Sequence, residues 1–356
     1  MANLHLFWDG GDPPAGWSLV SESGGAFYHK FVRGAAAYDA VGGGAATHTH
    51  TLGLVSCTGA SAERALNSQY NVVSTSHTHT LNTVACGTGS NLPAYKSLKV
   101  IKCATGVPAS LPQGIIALFD VAIPGAWTRQ ADIDAKFIYC SDAVGFAGSD
   151  THAHTISGET DYFDEDVLAA YDPGSTASME HYHNVNVNTP SHDNVPTYKT
   201  VVFGKKDGAG AIPLGLIGMF DGDPGEDWEI ISGVGEALNH LFIRGSDTYG
   251  GTGGVNTHTP NNQIFTTAGE AIYPTRSLPG AGASKKEHTH DMTVSFTQGD
   301  NTPPYIDVIF AKNLVSPPPA VGWRKIAFEI EPPTPGWNQL KREAGTGWCK
   351  ILYEGE

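Results

Sequence analysis

The chain of 356 residues repeats itself three times, and this repetition restricts its possible folds more than any other feature. Each copy opens with an apolar strand, a Pro/Gly turn and a Trp, and each closes with a Pro-x-Tyr strand. The opening segments are "LHLFWDGGDPPAGWSLV" at 4–20, "IIALFDVAIPGAWTRQ" at 115–130 and "LIGMFDGDPGEDWEII" at 216–231. The period is about 104 residues, and the motifs keep their order, so chance is excluded as the cause.

The composition favours strands over helices. Only 16% of the residues are charged, 43 are Gly and 22 are Pro, and few apolar runs have helical spacing. We therefore predict an all-β fold of three tandem modules of about 104 residues, with long polar loops and a truncated fourth copy. The predicted boundaries are 1–110 for repeat 1, 111–210 for repeat 2, 211–312 for repeat 3 and 313–356 for the partial fourth repeat.

The partial fourth copy contains only an opening hairpin, "IAFEIEPPTPGWNQL" at 326–340. A lone hairpin cannot bury its own apolar face, so 313–356 is predicted to be a docking or assembly tail on another module or a neighbouring chain. The tryptophans of the four opening segments are predicted to anchor these hairpins by packing rather than to stack on a sugar: Trp17, Trp127, Trp228 and Trp337.

Charge and composition exclude several classes of function. The net charge is −15 with no cluster of Lys and Arg, which argues against nucleic-acid binding. No apolar run is long enough for a membrane span, and the first residues do not resemble a signal peptide, so neither is expected. The five cysteines lack a metal-type CxxC spacing. A disulfide among Cys57, Cys86 and Cys103 and a set of small buried residues both stay open.

Eleven of the 15 histidines lie in six recurring slots, two slots in each copy. The first slot reads "THTHTLG" at 47–53, "THAHTIS" at 151–157 and "NTHTPNN" at 256–262. The second reads "SHTHTLN" at 76–82, "EHYHNVN" at 180–186 and "EHTHDMT" at 287–293. The candidate metal ligands are His48, His50, His77, His79, His152, His154, His181, His183, His258, His288 and His290. One pair is incomplete, and we interpret Asn256 as standing in place of its first ligand.

Strand alternation predicts that these imidazoles face inward. In "EHTHDMTVSF", His288 and His290 share one strand face with Met292, Val294 and Phe296. An unpartnered buried polar group costs about 1–3 kcal/mol, so eleven such rings need partners. A transition metal ion satisfies this need, with Zn as the first expectation and Fe, Ni or Cu also suitable for imidazole. A ladder of hydrogen-bonded histidines is the alternative.

Two groupings of the ligands are possible. The two pairs within one copy would give four nitrogens per module. The same slot taken from three copies around a threefold or pseudo-threefold axis would give up to six nitrogens, either within one chain or between three chains. A closed coordination shell leaves no position for water, which indicates a structural metal.

The ordered set "IALFD", a Pro/Gly turn with Trp, "FIRG", a Gly-rich loop, "THTHT" and "PPY" resembles the receptor-binding and collar regions of bacteriophage tail-fibre proteins. The resemblance covers most of residues 4–312. In those families, His-x-His pairs from three intertwined chains hold a metal ion on the fibre axis. The resemblance therefore implies that the eleven histidines are metal ligands. This chain differs in carrying three copies of the region.

The resemblance implies a non-enzymatic structural protein of a virion tail appendage, which serves assembly and attachment to a cell-surface receptor or glycan. It also implies self-association as a closed, trimer-like oligomer. A self-polymerising extracellular filament subunit, joined head to tail, is the alternative. A metal-dependent hydrolase is less favoured, because no nucleophile elbow, P-loop or dinucleotide fingerprint is present.

Overall fold

A computed structural model describes residues 4–58, 60–62, 75–104, 106–161, 166–168, 176–178, 182–267, 270–271, 287–315, 340–341 and 348–349. Within these ranges every regular element is a β-strand except one 3-10 turn, Ala131–Ile133. The predicted all-β class is confirmed. None of the described residues belongs to a helix that could cross a membrane.

Each copy of the repeat contributes eleven strands to the described part of the chain, in the same order. The strands of copy one are β1 (Leu4–Trp8), β2 (Trp17–Leu19), β3 (Lys30–Gly34), β4 (Asp39–Gly43), β5 (Thr47–His48), β6 (Leu52–Cys57), β7 (Ala60–Ala62), β8 (Thr75–His77), β9 (Ala85–Cys86), β10 (Gly89–Ser90) and β11 (Tyr95–Cys103). The strands of copy two are β12 (Ile115–Phe119), β13 (Trp127–Arg129), β14 (Phe137–Cys140), β15 (Gly145–Ala147), β16 (Thr151–His152), β17 (Thr155–Glu159), β18 (Asp166–Leu168), β19 (Thr176–Ser178), β20 (Asn184–Asn188), β21 (His192–Asp193) and β22 (Tyr198–Lys206).

Copy three repeats the order. Its strands are β23 (Leu216–Phe220), β24 (Trp228–Ile230), β25 (Phe242–Gly245), β26 (Thr252–Gly253), β27 (Thr257–His258), β28 (Gln263–Thr266), β29 (Glu270–Ala271), β30 (Glu287–His288), β31 (Asp291–Phe296), β32 (Gly299–Asp300) and β33 (Tyr305–Asn313). Two short strands follow, β34 (Leu340–Lys341) and β35 (Trp348–Cys349), and they pair with each other. Of the predicted fourth copy, 313–356, only these two strands and residues 313–315, which include the end of β33, are described.

The three opening strands pair with one another in a closed triangle. β1 pairs with β12, β12 with β23, and β23 with β1, all antiparallel. Their sequences are apolar on both faces, and nearly all of their residues are buried. Strands covered on both faces require such continuous apolar runs, so the sequence of these segments matches their central position.

The closing strands join each copy to the next. β11 of copy one runs parallel to β14 of copy two, β22 of copy two to β25 of copy three, and β33 of copy three to β3 of copy one. A single 15-stranded sheet thereby contains strands from all three copies. The pairing pattern has approximate threefold symmetry and closes within one chain. The predicted module boundaries stay predictions, and the main sheet runs across them.

Ion pairs follow the same cyclic pattern. Each joins the Lys near the end of a closing strand to the Asp that follows an opening strand of another copy. The pairs are Lys102–Asp221 at 2.7 Å, Lys205–Asp9 at 2.8 Å and Lys312–Asp120 at 2.7 Å. Their recurrence indicates that the copies are equivalent in tertiary position as well as in sequence.

In each copy a glycine with a positive φ lies a few residues before the first histidine slot. Gly44, Gly148 and Gly254 adopt φ values of 73°, 75° and 72°. A Cβ atom on any of them would lie 2.0–2.1 Å from a carbonyl oxygen, that of Pro303, Pro93 or Pro196. These are the prolines of the Pro-x-Tyr motif in a different copy, so the glycines are needed for both the backbone angle and the contact.

Two large apolar clusters fill the sheet region, and a smaller one lies in the histidine region. Trp127 and Trp228 are buried and pack edge-on against Phe119 and Phe220, and the half-buried Trp17 packs against the same cluster. The packing role predicted for these tryptophans is confirmed, while Trp337 lies outside the described residues. Cys57, Cys86, Cys103 and Cys140 are free thiols, so the possible disulfide among the first three does not form.

Candidate metal centres

The first histidine slot lies on short strands that pair within each copy. β5 pairs with β10, β16 with β21, and β27 with β32. In this register His48 lies opposite Gly89, His152 opposite His192, and His258 opposite Gly299. His48, His152 and His258 are therefore equivalent positions.

This equivalence corrects the alignment of the incomplete pair. Asn256 does not replace a ligand: its backbone carbonyl accepts a hydrogen bond from Asn301, as the carbonyl of Ala46 does from Asn91. His258 occupies the first ligand position, and Pro260 occupies the second, where the other copies have His50 and His154. Like those two histidines, Pro260 is buried.

Five imidazoles from the three copies converge on one point. We call His48, His50, His152, His154 and His258 the first histidine cluster. The Nε2 atom of His258 lies 3.2 Å from those of His48 and His50 and 3.1 Å from that of His152. The Nε2 atoms of His152 and His154 are 3.2 Å apart. The same atom of each ring therefore faces the centre.

The ring orientations match an octahedral arrangement with one position unfilled. Neighbouring rings are edge-on with centroids 4.6–5.0 Å apart, as between His48 and His258 or between His50 and His154. His154 and His258 instead lie 6.0 Å apart with nearly parallel rings, as expected for ligands on opposite sides of an ion. His48 is edge-on to all four of the other rings. It therefore has no ring on the opposite side of the centre among the five of this cluster.

Hydrogen bonds on the outer nitrogens fix the tautomers. His50 Nδ1 lies 2.7 Å from the carbonyl oxygen of Thr297, and His154 Nδ1 lies 2.9 Å from that of Gly87. A carbonyl oxygen only accepts, so each Nδ1 donates a proton and the neutral ring presents its Nε2 lone pair to the cluster. His48 Nδ1 contacts the side-chain oxygen of Asn91 in the same manner.

Burial keeps four of these rings neutral. Burial first, and repulsion from the neighbouring imidazoles second, lower the pKa of His152 to about 4 and that of His258 to about 3. Burial also lowers the pKa of His48 and of His50. The inward lone pairs of neutral rings repel one another, and a bound cation or a shared proton relieves this repulsion. The cluster is therefore suited to bind a metal ion.

The second histidine slot forms a second cluster, which we define as His77, His79, His183 and His290. All four are buried, and each offers a nitrogen within 4.8 Å of the others. The Nε2 atoms of His77 and His290 are 3.2 Å apart. His290 Nδ1 donates to the carbonyl oxygen of Thr58 at 2.8 Å, and His79 Nδ1 donates to that of Asp161 at 3.0 Å.

Burial lowers the pKa of His290, partly opposed by its hydrogen bond to Thr58. The second cluster thus resembles the first in its buried rings, and the outer nitrogens of His79 and His290 are anchored to backbone carbonyls.

Apolar side chains separate the two slots along each strand, as the alternation predicts. Ile156, Val185, Met292, Val294 and Phe296 are buried on the face that carries the histidines. The strands come from different copies: β6 pairs with β31, β31 with β28, and β17 with β20 and β9. Strand alternation places these apolar side chains on one face, while the second histidine of each slot lies outside the strands, near the end of one.

The structure brings together nine of the eleven predicted ligands, grouped by slot across the three copies rather than within one copy. His181 lies outside the described residues, and so does the side chain of His288. Both clusters contain residues from all three copies. Of the two groupings that the sequence left open, the pseudo-threefold one is observed.

One histidine beside the first cluster was not among the predicted ligands. His192 is paired with His152 across β16 and β21, and its ring is nearly parallel to that of His258, with centroids 6.0 Å apart. The sequence contains a signal for this residue. The segments "GSNLPAY", "HDNVPTY" and "GDNTPPY" align from positions 89, 192 and 299, and their first residue is Gly in copies one and three but His in copy two.

No protein-family profile, no curated protein and no solved structure matches the chain.

Proposed function

We propose that the chain is a structural protein in which two transition-metal ions clamp three copies of one β unit around a shared axis. The observation that carries the proposal is the convergence of Nε2 atoms from different copies, with the rings of His48, His50 and His154 each fixed by an Nδ1 hydrogen bond on its outer side. Neutral rings in this orientation repel one another, so the arrangement gains stability from a bound cation.

The number of converging nitrogens favours a six-coordinate ion. With metal–nitrogen bonds of about 2.1 Å, adjacent nitrogens lie about 3.0 Å apart in an octahedron and about 3.4 Å apart in a tetrahedron, and the contacts of 3.1–3.2 Å in the first cluster lie between these values. Five converging imidazoles, however, are one more than a tetrahedral ion accepts. Structural zinc sites are almost always tetrahedral, so we favour Fe or Ni over the Zn that the sequence suggested first.

A virion tail appendage is the setting that we propose. In the tail-fibre regions that the sequence resembles, three chains surround one axis, whereas here one chain supplies all three copies. Because β33 pairs back with β3, the ring of copies closes without a second chain. This supports a discrete particle over a head-to-tail filament. Attachment to a receptor or glycan stays a prediction from the resemblance.

Metal analysis of the purified protein tests the proposal. We expect two ions per chain, and we expect a chelator to remove them and lower the melting temperature. His79→Ala should reduce the metal content by about one ion. His240→Asn is the matched control, because His240 lies outside both clusters and Asn tolerates its positive φ of 55°.

Trace metal only in the wild-type protein, or equal loss in His79→Ala and the control, would contradict the proposal. Negative-stain microscopy with mass measurement separates the two settings. Discrete particles agree with an appendage protein, while filaments at the same concentration favour the extracellular alternative.

A further inference from the structure

The three copies differ at two positions that face each other across a copy boundary. Gly89 of copy one lies against copy two: its added Cβ would meet His154 Cε1 at 2.5 Å and His152 Cδ2 at 2.7 Å. Gly299 of copy three lies against copy one, where the corresponding contacts are His50 Cε1 at 2.6 Å and His48 Cδ2 at 2.9 Å. A glycine is required wherever the second histidine of the next copy is present.

Copy two faces copy three with the reverse combination. The second histidine of copy three is replaced by Pro260, and the glycine of copy two is replaced by His192. At this boundary, copy three therefore lacks an imidazole at position 260, and copy two has an additional imidazole at position 192. The side chain of His192 has room because no imidazole occupies position 260.

The surroundings of His192 point toward the first cluster. Its Nε2 is buried and has no hydrogen-bond partner among the described residues. Its ring lies beside that of His258, and it is close enough to interact electrostatically with His50, His152 and His154. These are the rings that border the unfilled position opposite His48.

We propose that His192 supplies the sixth nitrogen of the first metal centre, in place of the histidine that Pro260 replaces. This inference rests on the proposed metal-binding function. The ring now lies nearly parallel to that of His258, with centroids 6.0 Å apart, so we expect the side chain to turn toward the ion on binding. The centre is then closed by six imidazoles, and it is held by copy two from two strands, β16 and β21.

A double-mutant cycle tests the assignment. His192→Gly gives copy two the residue that copies one and three carry, so the fold should be retained. Loss of a residue that only orients a ligand weakens metal binding by about 10- to 100-fold, so loss of His192 as a direct ligand should weaken binding of the first ion by at least that much. Pro260→His alone should bind no better, because the new ring meets the side chain of His192.

The combined variant His192→Gly/Pro260→His restores the pattern of the other two copies, and we expect it to recover wild-type affinity. Affinity is measured by chelator competition with Ni²⁺-loaded protein, and ligand number by X-ray absorption. Ni²⁺ release should show two phases, and only the phase of the first cluster should shift.

Wild-type affinity and an unchanged ligand number in His192→Gly would overturn the assignment. So would a combined variant no better than His192→Gly. The second cluster serves as the internal control. If wild-type protein holds no metal, the proposed function itself fails. If wild-type protein holds two ions and His192→Gly keeps both unchanged, only the role of His192 fails.

Discussion

The sheet region and the histidine region of this chain are stabilised in different ways. In the sheet region, two clusters of fully buried apolar side chains join strands of all three copies. In the histidine region, one smaller apolar cluster lies along strands that carry two groups of buried imidazoles. Burial of apolar surface stabilises the first region with or without metal ions in solution. The second region buries imidazole nitrogens that could hold a metal ion, so under the proposed function its stability depends on metal.

Metal removal should cause the largest difference in stability between the two regions. A free ion at 1,000 times its dissociation constant stabilises a one-site protein by about 4 kcal/mol, so two sites together contribute about 8 kcal/mol. We expect chelation to accelerate amide hydrogen exchange in β6, β17 and β31 while β1, β12 and β23 stay protected. Re-addition of the ion should restore protection. Uniform acceleration in both regions would show that they are not separable.

A cavity in the sheet region should also lower the stability of the protein substantially, but without affecting the histidine region. Phe310 is completely buried on β33 in the larger apolar cluster. Phe310→Ala is expected to destabilise the protein by about 3–5 kcal/mol, through lost burial and the cavity left behind. Chemical denaturation measures this loss. The metal affinity of the variant should equal that of the wild type, and a loss of metal together with stability would argue that the regions are coupled.

Acid should also weaken the histidine region of the metal-free protein. The folded-state pKa of His152 is about 4 and that of His258 about 3, both below the ordinary value of 6.5. A histidine with a depressed pKa stabilises the fold fully above its ordinary pKa and loses this contribution as the pH falls. We therefore expect the melting temperature of metal-free protein to decline from about pH 6.5 toward pH 3.

Replacing both of these histidines with Gln should flatten the decline, because Gln does not titrate in this range. The titration is monitored by thermal melts at constant ionic strength. An unchanged pH profile in the His152→Gln/His258→Gln variant would assign the decline to other groups.

The sequence alone predicts the repeats, the all-β class and the inward direction of the histidines. These properties depend on local pattern: the alternation in "EHTHDMTVSF" sets which side chains share a face, and the apolar opening segments require burial on both faces. Successive side chains of a strand point to opposite faces, so these properties can be predicted before the packing partner of the strand is known.

Only the tertiary structure decides which copies share a strand or a site. The parallel pairing of β33 with β3 joins residues 274 positions apart, such as Phe31 and Tyr305, and nothing in either segment specifies its partner copy. The incomplete pair illustrates the same point. From the sequence, Asn256 looks like the missing ligand, but the strand register assigns that role to Pro260. His192 is conspicuous only once that register places it opposite His152, because proximity between copies arises from long-range pairing and not from local sequence.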